Sequence, residues 1–409
     1  MVSPARTAAF DILRLVEQGG YASDLLYGRA GLDARNAGLA SEIVLGSLRF
    51  RSQLDFLMER LSGRAAGRLD AEVRIALRMG IYQLRYLSRV PAHAAVSESV
   101  ELVKRAGKRS AAGLVNAVLR KVDREAVEWP DRAVELAHPE WMVERWERQY
   151  GGETAEGIAR ANLLTPETYV RIAGGQASAG EPTRQAEACA TVEGMGATTV
   201  GGTEATKVVG MEATEVAGCY RVTSGRVEGM RIQDIGSQCI VPLLDLQLGQ
   251  TYLDLCAAPG NKTAQALESG VRAVSCDIHL SRLVNMKGLG AELVVLDGAR
   301  PLPFRSRFDR ILVDAPCSGT GTLGRNPEIK WRLQAGDFAF LHCRQVALLT
   351  NALERLAPGG RLVYSTCSLE REENEDVITA VGASVERLWR RLPGMDRGDG
   401  FFAAVLTSD

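Results

Sequence analysis

From Tyr252 onward the chain repeats one unit: a short apolar run, a turn of small or acidic residues, then a helical stretch. The candidate strands are Tyr252–Leu255, Ala273–Cys276, Leu293–Leu296, Arg310–Val313 and Arg361–Ser365. Helical stretches follow most of them, at Lys262–Glu268, Ser281–Leu289, Phe338–Leu356 and Glu372–Val381. A strand covered on both faces reads as a continuous apolar run, and helical crossovers make successive strands parallel. This pattern predicts a mostly parallel sheet with helices on both faces. Two late runs, Val385–Trp389 and Phe401–Leu406, suit a hairpin at the sheet edge.

The region upstream has a different period. Ala8, Ile12, Leu15 and Val16 share one helical face, as do Ile43, Val44, Ser47 and Leu48, and again Ile75, Leu77, Met79, Ile81 and Leu84. Short turns such as Ser62-Gly63-Arg64 separate these faces, so residues 1–130 predict a compact helical bundle. Residues 131–235 form a connector with helical pieces at Pro139–Tyr150 and Thr154–Asn162. Its β-prone runs are Thr198–Val200, Thr206–Val209 and Tyr220–Val222, which suggest a small α+β piece. Residues 236–409 then hold the sheet. Three parts suit a chain of 409 residues, which is long for one core.

Composition narrows the functional classes. No apolar run reaches the ~20 residues that span a bilayer, and the N-terminus lacks a signal core, so a cytoplasmic protein with no membrane partner is expected. Eight cysteines contain no CxxC pair and only four histidines occur, which argues against a metal site and a disulfide framework. The net charge is −1, yet residues 1–125 carry roughly +7. That cluster is either a solvated helix face or a surface for nucleic acid.

The chemistry gathers at the strand ends. The first strand runs into Asp254-Leu255-Cys256-Ala257-Ala258-Pro259-Gly260-Asn261-Lys262-Thr263, a turn of small residues that lets a ligand approach the backbone. It is not a phosphate loop, because no Gly opens it and Asn261 precedes the Lys. Asp277 ends the second strand, where an acid can accept ribose hydroxyls, and Asp297 ends the third, where it can accept an adenine amine. With no Gly-x-Gly-x-x-Gly turn for a pyrophosphate, S-adenosyl-L-methionine fits better than a dinucleotide.

The fourth strand ends in Asp314-Ala315-Pro316-Cys317-Ser318-Gly319 and the fifth in Ser365-Thr366-Cys367-Ser368, which brings two cysteines to the cofactor edge. Carbon 5 of cytosine is a weak nucleophile. A thiolate added at carbon 6 creates an enamine whose carbon 5 can take a methyl group. Asp314 is placed to hold the base, and a second thiol can assist release. Residue chemistry does not say which cysteine attacks.

Asp254–Thr263, Val313–Gly321 with Arg325-Asn326-Pro327-Glu328-Ile329-Lys330-Trp331, and Tyr364–Leu369 with Glu372-Glu373-Asn374-Glu375 resemble the motifs of the Sun family of RNA 5-methylcytosine methyltransferases. Arg89–Val96 and Asn116–Arg120 resemble a NusB-like helical RNA-binding domain, and His138–Trp141, Asn162 and Gln233-Asp234 also fit. The resemblance implies a Rossmann-like S-adenosylmethionine-dependent methyltransferase domain, preceded by an all-α NusB-like bundle and a small α+β connector. It implies methylation of carbon 5 of a cytosine in 16S ribosomal RNA, free or partly assembled. Cys367 is then the nucleophile and Cys317 the releasing thiol, with cofactor positions at Cys256, Ala257, Ala258, Pro259, Gly260, Asn261, Lys262, Asp277, Asp297 and Asp314. Asn261 stands where the family usually has Gly, and the left-handed tolerance of Asn is expected to preserve the turn. Two alternatives stay open: the same reaction on transfer RNA, and a non-catalytic RNA-binding assembly factor.

Overall fold

The computed structural model describes residues 2–27, 31–173, 210–225, 227 and 229–408. They fall into two compact units, Met1–Thr165 with Thr322–Leu333, and Pro166–Gly321 with Gln334–Asp409. The runs Thr198–Val200 and Thr206–Val209 lie outside the described residues.

The first unit is helical. Pro4–Glu17, Ala34–Arg49, Arg51–Ser62, Ala71–Tyr86, Ala92–Arg105 and Ala112–Leu119 enclose one core. Local chemistry sets their ends. Pro4 opens the first helix, the Asp33 carboxylate accepts the Asn36 amide, and Gly63 closes its helix in the left-handed conformation. Ala71–Tyr86 is buried almost all round, as a central helix must be. Leu15 departs from its expected face and is 42% exposed. The buried stripe of that helix follows Ala5, Ala8, Ala9, Ile12 and Val16, and Leu15 falls at its margin.

The segment Thr322–Leu333 belongs to this unit although its sequence neighbours do not. Lys330 is buried and donates to the carbonyls of Arg49 and Ala137 at 2.9 and 2.7 Å. Trp331 Nε1 donates to Leu48 O at 2.6 Å. Burial holds the Lys330 ammonium well below its ordinary pKa, and Arg49 adds to the effect.

The second unit contains two sheets. Strands β1 (Tyr169–Arg171), β2 (Gly210–Ala213), β3 (Cys219–Ser224) and β4 (Arg231–Ile232) form an antiparallel sheet in the order β2-β3-β1-β4. The larger sheet comprises β5 (Thr251–Asp254), β6 (Arg272–Asp277), β7 (Glu292–Val295), β8 (Phe308–Asp314), β9 (Leu356–Thr366), β10 (Val385–Arg391) and β11 (Phe401–Thr407). Its order is β10-β11-β9-β8-β5-β6-β7. Strands β5 to β9 pair in parallel, and the β10–β11 hairpin closes the edge antiparallel, as the late runs predict.

Side chains alternate across the sheet. Leu253, Ile311, Val313 and Tyr364 pack on one face with Leu348, Leu349 and Ala352 of helix Asp337–Leu353. Tyr252, Leu312 and Val363 pack on the other with Ile240 and Leu244. Chain order runs from β5 outward to β6 and β7, then returns to β8 and β9 on the opposite side. The carboxyl ends of β5 and β8 therefore flank the point where strand order reverses, the place where such sheets bind ligands. One helix is shorter than its pattern predicts. Ser281–Leu289 becomes Leu280–Leu283 plus a 3₁₀ turn, Val284–Met286, because Gly288 and Gly290 take φ of +87° and +96°.

Candidate active site

Asp254 ends β5 as a buried carboxyl group, and Thr263 Oγ1 donates to its Oδ2 at 2.7 Å. Burial pushes its pKa up to about 7, against the Thr263 bond that favours the charged form. Burial also raises the Cys256 thiol well above its ordinary value, which makes it an unreactive sulfur. The turn that follows is tied to β6 by Ala257 N, which donates to Cys276 O at 2.8 Å. Gly260 carries the left-handed conformation, φ +102°. A Cβ there would meet Leu289 Cδ1 and Met286 Cγ at 2.9 Å each.

Asn261 therefore does not need the left-handed tolerance expected of it. It is the first residue of helix Asn261–Leu267, and its Nδ2 donates to Ile232 O at 3.2 Å. The glycine requirement of the turn falls one residue earlier.

Asp277 accepts from Ala258 N at 3.3 Å and His279 N at 2.8 Å, so its carboxylate lies against the small-residue turn. Asp297, two residues beyond β7, accepts from Ala299 N at 3.2 Å and Arg344 Nη2 at 3.3 Å. These residues suit a nucleoside-bearing cofactor. The Ala257–Gly260 turn is made of small residues, and acids stand at the end of β6 and two residues beyond β7.

The reacting groups are built by strand register. Asp314 lies opposite Ser365 in the β8–β9 pair, so the Ser365 hydroxyl donates to Asp314 Oδ1 at 2.8 Å. Lys262, the second residue of its helix, donates to the other oxygen at 2.6 Å. Burial opposes the Lys262 charge, but Asp314 outweighs it and holds the pKa above its ordinary value. Three residues past Asp314 and two past Ser365, Cys317 Sγ and Cys367 Sγ meet at 3.3 Å. Sequence reasoning placed Lys262 with the cofactor residues; its ammonium reaches the Asp314 carboxylate.

Residues given no role by the sequence reading fasten the two cysteine loops together. Gly321 N donates to Cys367 O at 2.8 Å, and Leu369 N donates to Thr320 Oγ1 at 2.9 Å. Asn374 accepts from Thr366 Oγ1 at 2.6 Å and donates to Ser368 O at 2.9 Å. Glu373 bonds to Ser318 and to Ser368. The signal for them was the polar run Glu370-Arg371-Glu372-Glu373-Asn374-Glu375 directly after Thr366-Cys367-Ser368-Leu369, an unlikely composition for a buried turn. A cavity of about 400 Å³ lies in the helical unit, lined by Arg51, Arg74, Arg78 and Trp331 among others, and shares no residue with this site.

A parallel sheet with its reversal point at β5 and β8, acids along one edge and a thiol pair beside them defines a Rossmann-fold methyltransferase. Comparison with known proteins agrees. Residues 241–385 match the family 16S rRNA methyltransferase RsmB/F, residues 3–124 match the NusB family, and residues 138–187 match the RsmF/B-like ferredoxin-like domain. The probable ribosomal RNA small subunit methyltransferase B of Bacillus subtilis (strain 168) is 33% identical over 92% of this chain and 87% of its own. Ribosomal RNA small subunit methyltransferase B of Klebsiella pneumoniae (strain 342) is 33% identical over 98% of this chain and 96% of its own. The chain belongs to the ribosomal RNA small subunit methyltransferase B family, and S-adenosyl-L-methionine is its methyl donor. The crystal structure of PH0851 shares the fold over 100% of both chains, with a TM-score of 0.77 at 20% identity. A methyltransferase homolog protein from Pyrococcus horikoshii covers 69% of this chain with all of its own, at a TM-score of 0.54 and 24% identity.

Proposed function

We propose that this protein methylates carbon 5 of a cytosine in 16S ribosomal RNA, with Cys367 as nucleophile and Cys317 as the thiol that assists release. The 3.3 Å contact between the two sulfurs, beside the Lys262–Asp314 pair, carries the reading. Cys367 Sγ bonds to carbon 6 of the base, and the ring electrons make carbon 5 nucleophilic. S-adenosyl-L-methionine supplies the methyl group that carbon 5 takes. A base then removes the carbon 5 proton, and the carbon–sulfur bond breaks to release Cys367.

Electrostatics supports this order of the thiols. The hydrogen bond to Cys367 pushes the Cys317 pKa well above its ordinary value, and burial adds to it, so Cys317 keeps its proton. Lys262 stands close enough for the charge of Cys367 to raise its own pKa, which places a cation near that sulfur. Asp314 and Lys262 offer an acceptor and donors to the pyrimidine edge. Asp277, Asp297 and the Cys256–Asn261 turn hold the cofactor.

The target base must leave its stack to reach these groups, which suits free or partly assembled small-subunit RNA. Residues 1–130 hold that RNA, residues 131–235 help to present it, and residues 236–409 perform the transfer. Among the described residues no helix is long and apolar enough to cross a membrane, and the proposed location is the cytoplasm, where that RNA is made.

The test is a pair of variants incubated with small-subunit RNA and cofactor. Cys367→Ala is expected to abolish methylation, whereas Cys317→Ala accumulates a protein–RNA adduct that survives denaturation. An adduct in Cys367→Ala together with normal turnover by Cys317→Ala would reverse the assignment.

A further inference from the structure

Glu373 is fully buried and ends the short turn Arg371–Glu373 ahead of helix Glu375–Val381. Its carboxylate receives four donors. Oε1 accepts Ser318 N at 2.8 Å and Gln345 Nε2 at 3.0 Å, while Oε2 accepts the hydroxyls of Ser318 and Ser368. Ser318 directly follows Cys317 and Ser368 directly follows Cys367, so one carboxylate oxygen is bonded to the neighbour of each thiol. The two hydroxyls themselves lie 3.1 Å apart. Gln345 extends the clamp, because its Nε2 also donates to Pro316 O at 3.0 Å, on the other side of Cys317.

Joining two loops does not require a charge. Burying a carboxylate strips it of water unless its surroundings compensate, and no ion pair to Glu373 is formed among the described residues. The four donors satisfy its oxygens but leave its charge acting on whatever lies close. The titratable groups that face Cys317 are Cys367, Glu373 and Tyr364, and those on the Cys367 side include Lys262 and its partner Asp314.

We propose that Glu373 is the positioning residue of the methyl-transfer site, fixing Cys317 and Cys367 against each other through the residues that follow them. It acts through Ser318 and Ser368 and touches neither sulfur's reaction partner. The negative charge of Glu373 opposes a second negative charge on Cys317, in the same direction as the effect of Cys367 itself. This inference rests on the reading of Cys367 as nucleophile and adds the group that holds Cys317 beside it.

The test is site-resolved alkylation of the full-length protein with iodoacetamide, followed by mass spectrometry across about pH 6 to 10, the range in which thiols titrate. The native protein is expected to label Cys367 faster than Cys317 at neutral pH. Glu373→Gln is expected to narrow that preference by about tenfold, the change that one unit of differential ionisation gives. Glu373→Asp keeps the charge and is expected to retain part of the preference. A folded Glu373→Gln protein with the native preference would overturn the proposal. If Glu373→Gln does not fold, the double variant Ser318→Ala/Ser368→Ala decides, because it cuts the bridge and keeps the acid. An unchanged preference there counts equally against the proposal. Faster labelling of Cys317 in the native protein would instead overturn the assignment of the nucleophile, whatever Glu373 does.

Discussion

Lys262 Nζ lies 2.6 Å from Asp314 Oδ2, a contact that joins the turn after β5 to the end of β8 across 52 residues of sequence. The pair is half of the strand-end site, and the Ser365 hydroxyl holds the other oxygen of the same carboxylate at 2.8 Å. Its position decides whether Lys262 acts on the cofactor or on the base.

A lysine that serves the base affects the chemical step. Lys262→Met is therefore expected to lower kcat by about 100-fold, the usual cost of losing one positioned electrostatic group. Cofactor affinity should change less than about threefold. Isothermal titration with S-adenosyl-L-homocysteine and single-turnover methylation of RNA separate the two effects. A large loss of cofactor affinity at an unaltered kcat would move Lys262 to the cofactor side.

The turn after β5 makes a second contrast testable, since its left-handed residue is Gly260 and not Asn261. Gly260→Ala forces a side chain into φ +102° and against Leu289 and Met286 at 2.9 Å. Strain of about 1–3 kcal/mol is expected, with roughly a tenfold loss of cofactor affinity. Asn261→Gly removes the bond to Ile232 O and leaves the turn intact, so its affinity should stay near native. Equal damage from the two substitutions, measured by the same titration, would place the strain elsewhere.

Asp254 gives the fold a pH dependence. Its folded pKa is pushed up to about 7 by burial, while an unfolded Asp titrates near 3.9. The folded chain favours the neutral form, so this stabilisation is complete below about pH 4 and is lost as pH rises through about 7. Between pH 5 and 8 the native protein should lose about 2–3 kcal/mol that an Asp254→Asn variant does not lose. Denaturant unfolding of both proteins across that range reads the difference, and parallel pH profiles would show that Asp254 does not titrate there.

Much of the architecture was legible because it is written in local periods. Apolar runs placed β5, β6, β7 and β8 within two residues of their observed ends, β9 begins five residues before the expected Arg361, and the late hairpin paired as expected. Leu15 and the shortened helix after β6 escaped because packing at a margin and two left-handed glycines outweigh a periodic pattern. The acids Asp254, Asp277 and Asp314 end their strands, and Asp297 stands two residues beyond its own. Lys262 is the instructive case: its place in the cofactor turn was visible, while its partner was not.

By itself the sequence determined that a parallel sheet forms and that Cys317 and Cys367 emerge at one edge of it, because strand length and side-chain alternation are local properties. Tertiary structure alone decided that the two sulfurs meet at 3.3 Å, that Lys262 reaches Asp314, and that Glu373 fastens both loops. Those contacts depend on the register between β8 and β9 and on the turn that returns Glu373 beneath them. Register is a relation between strands some fifty residues apart, which local periodicity does not encode.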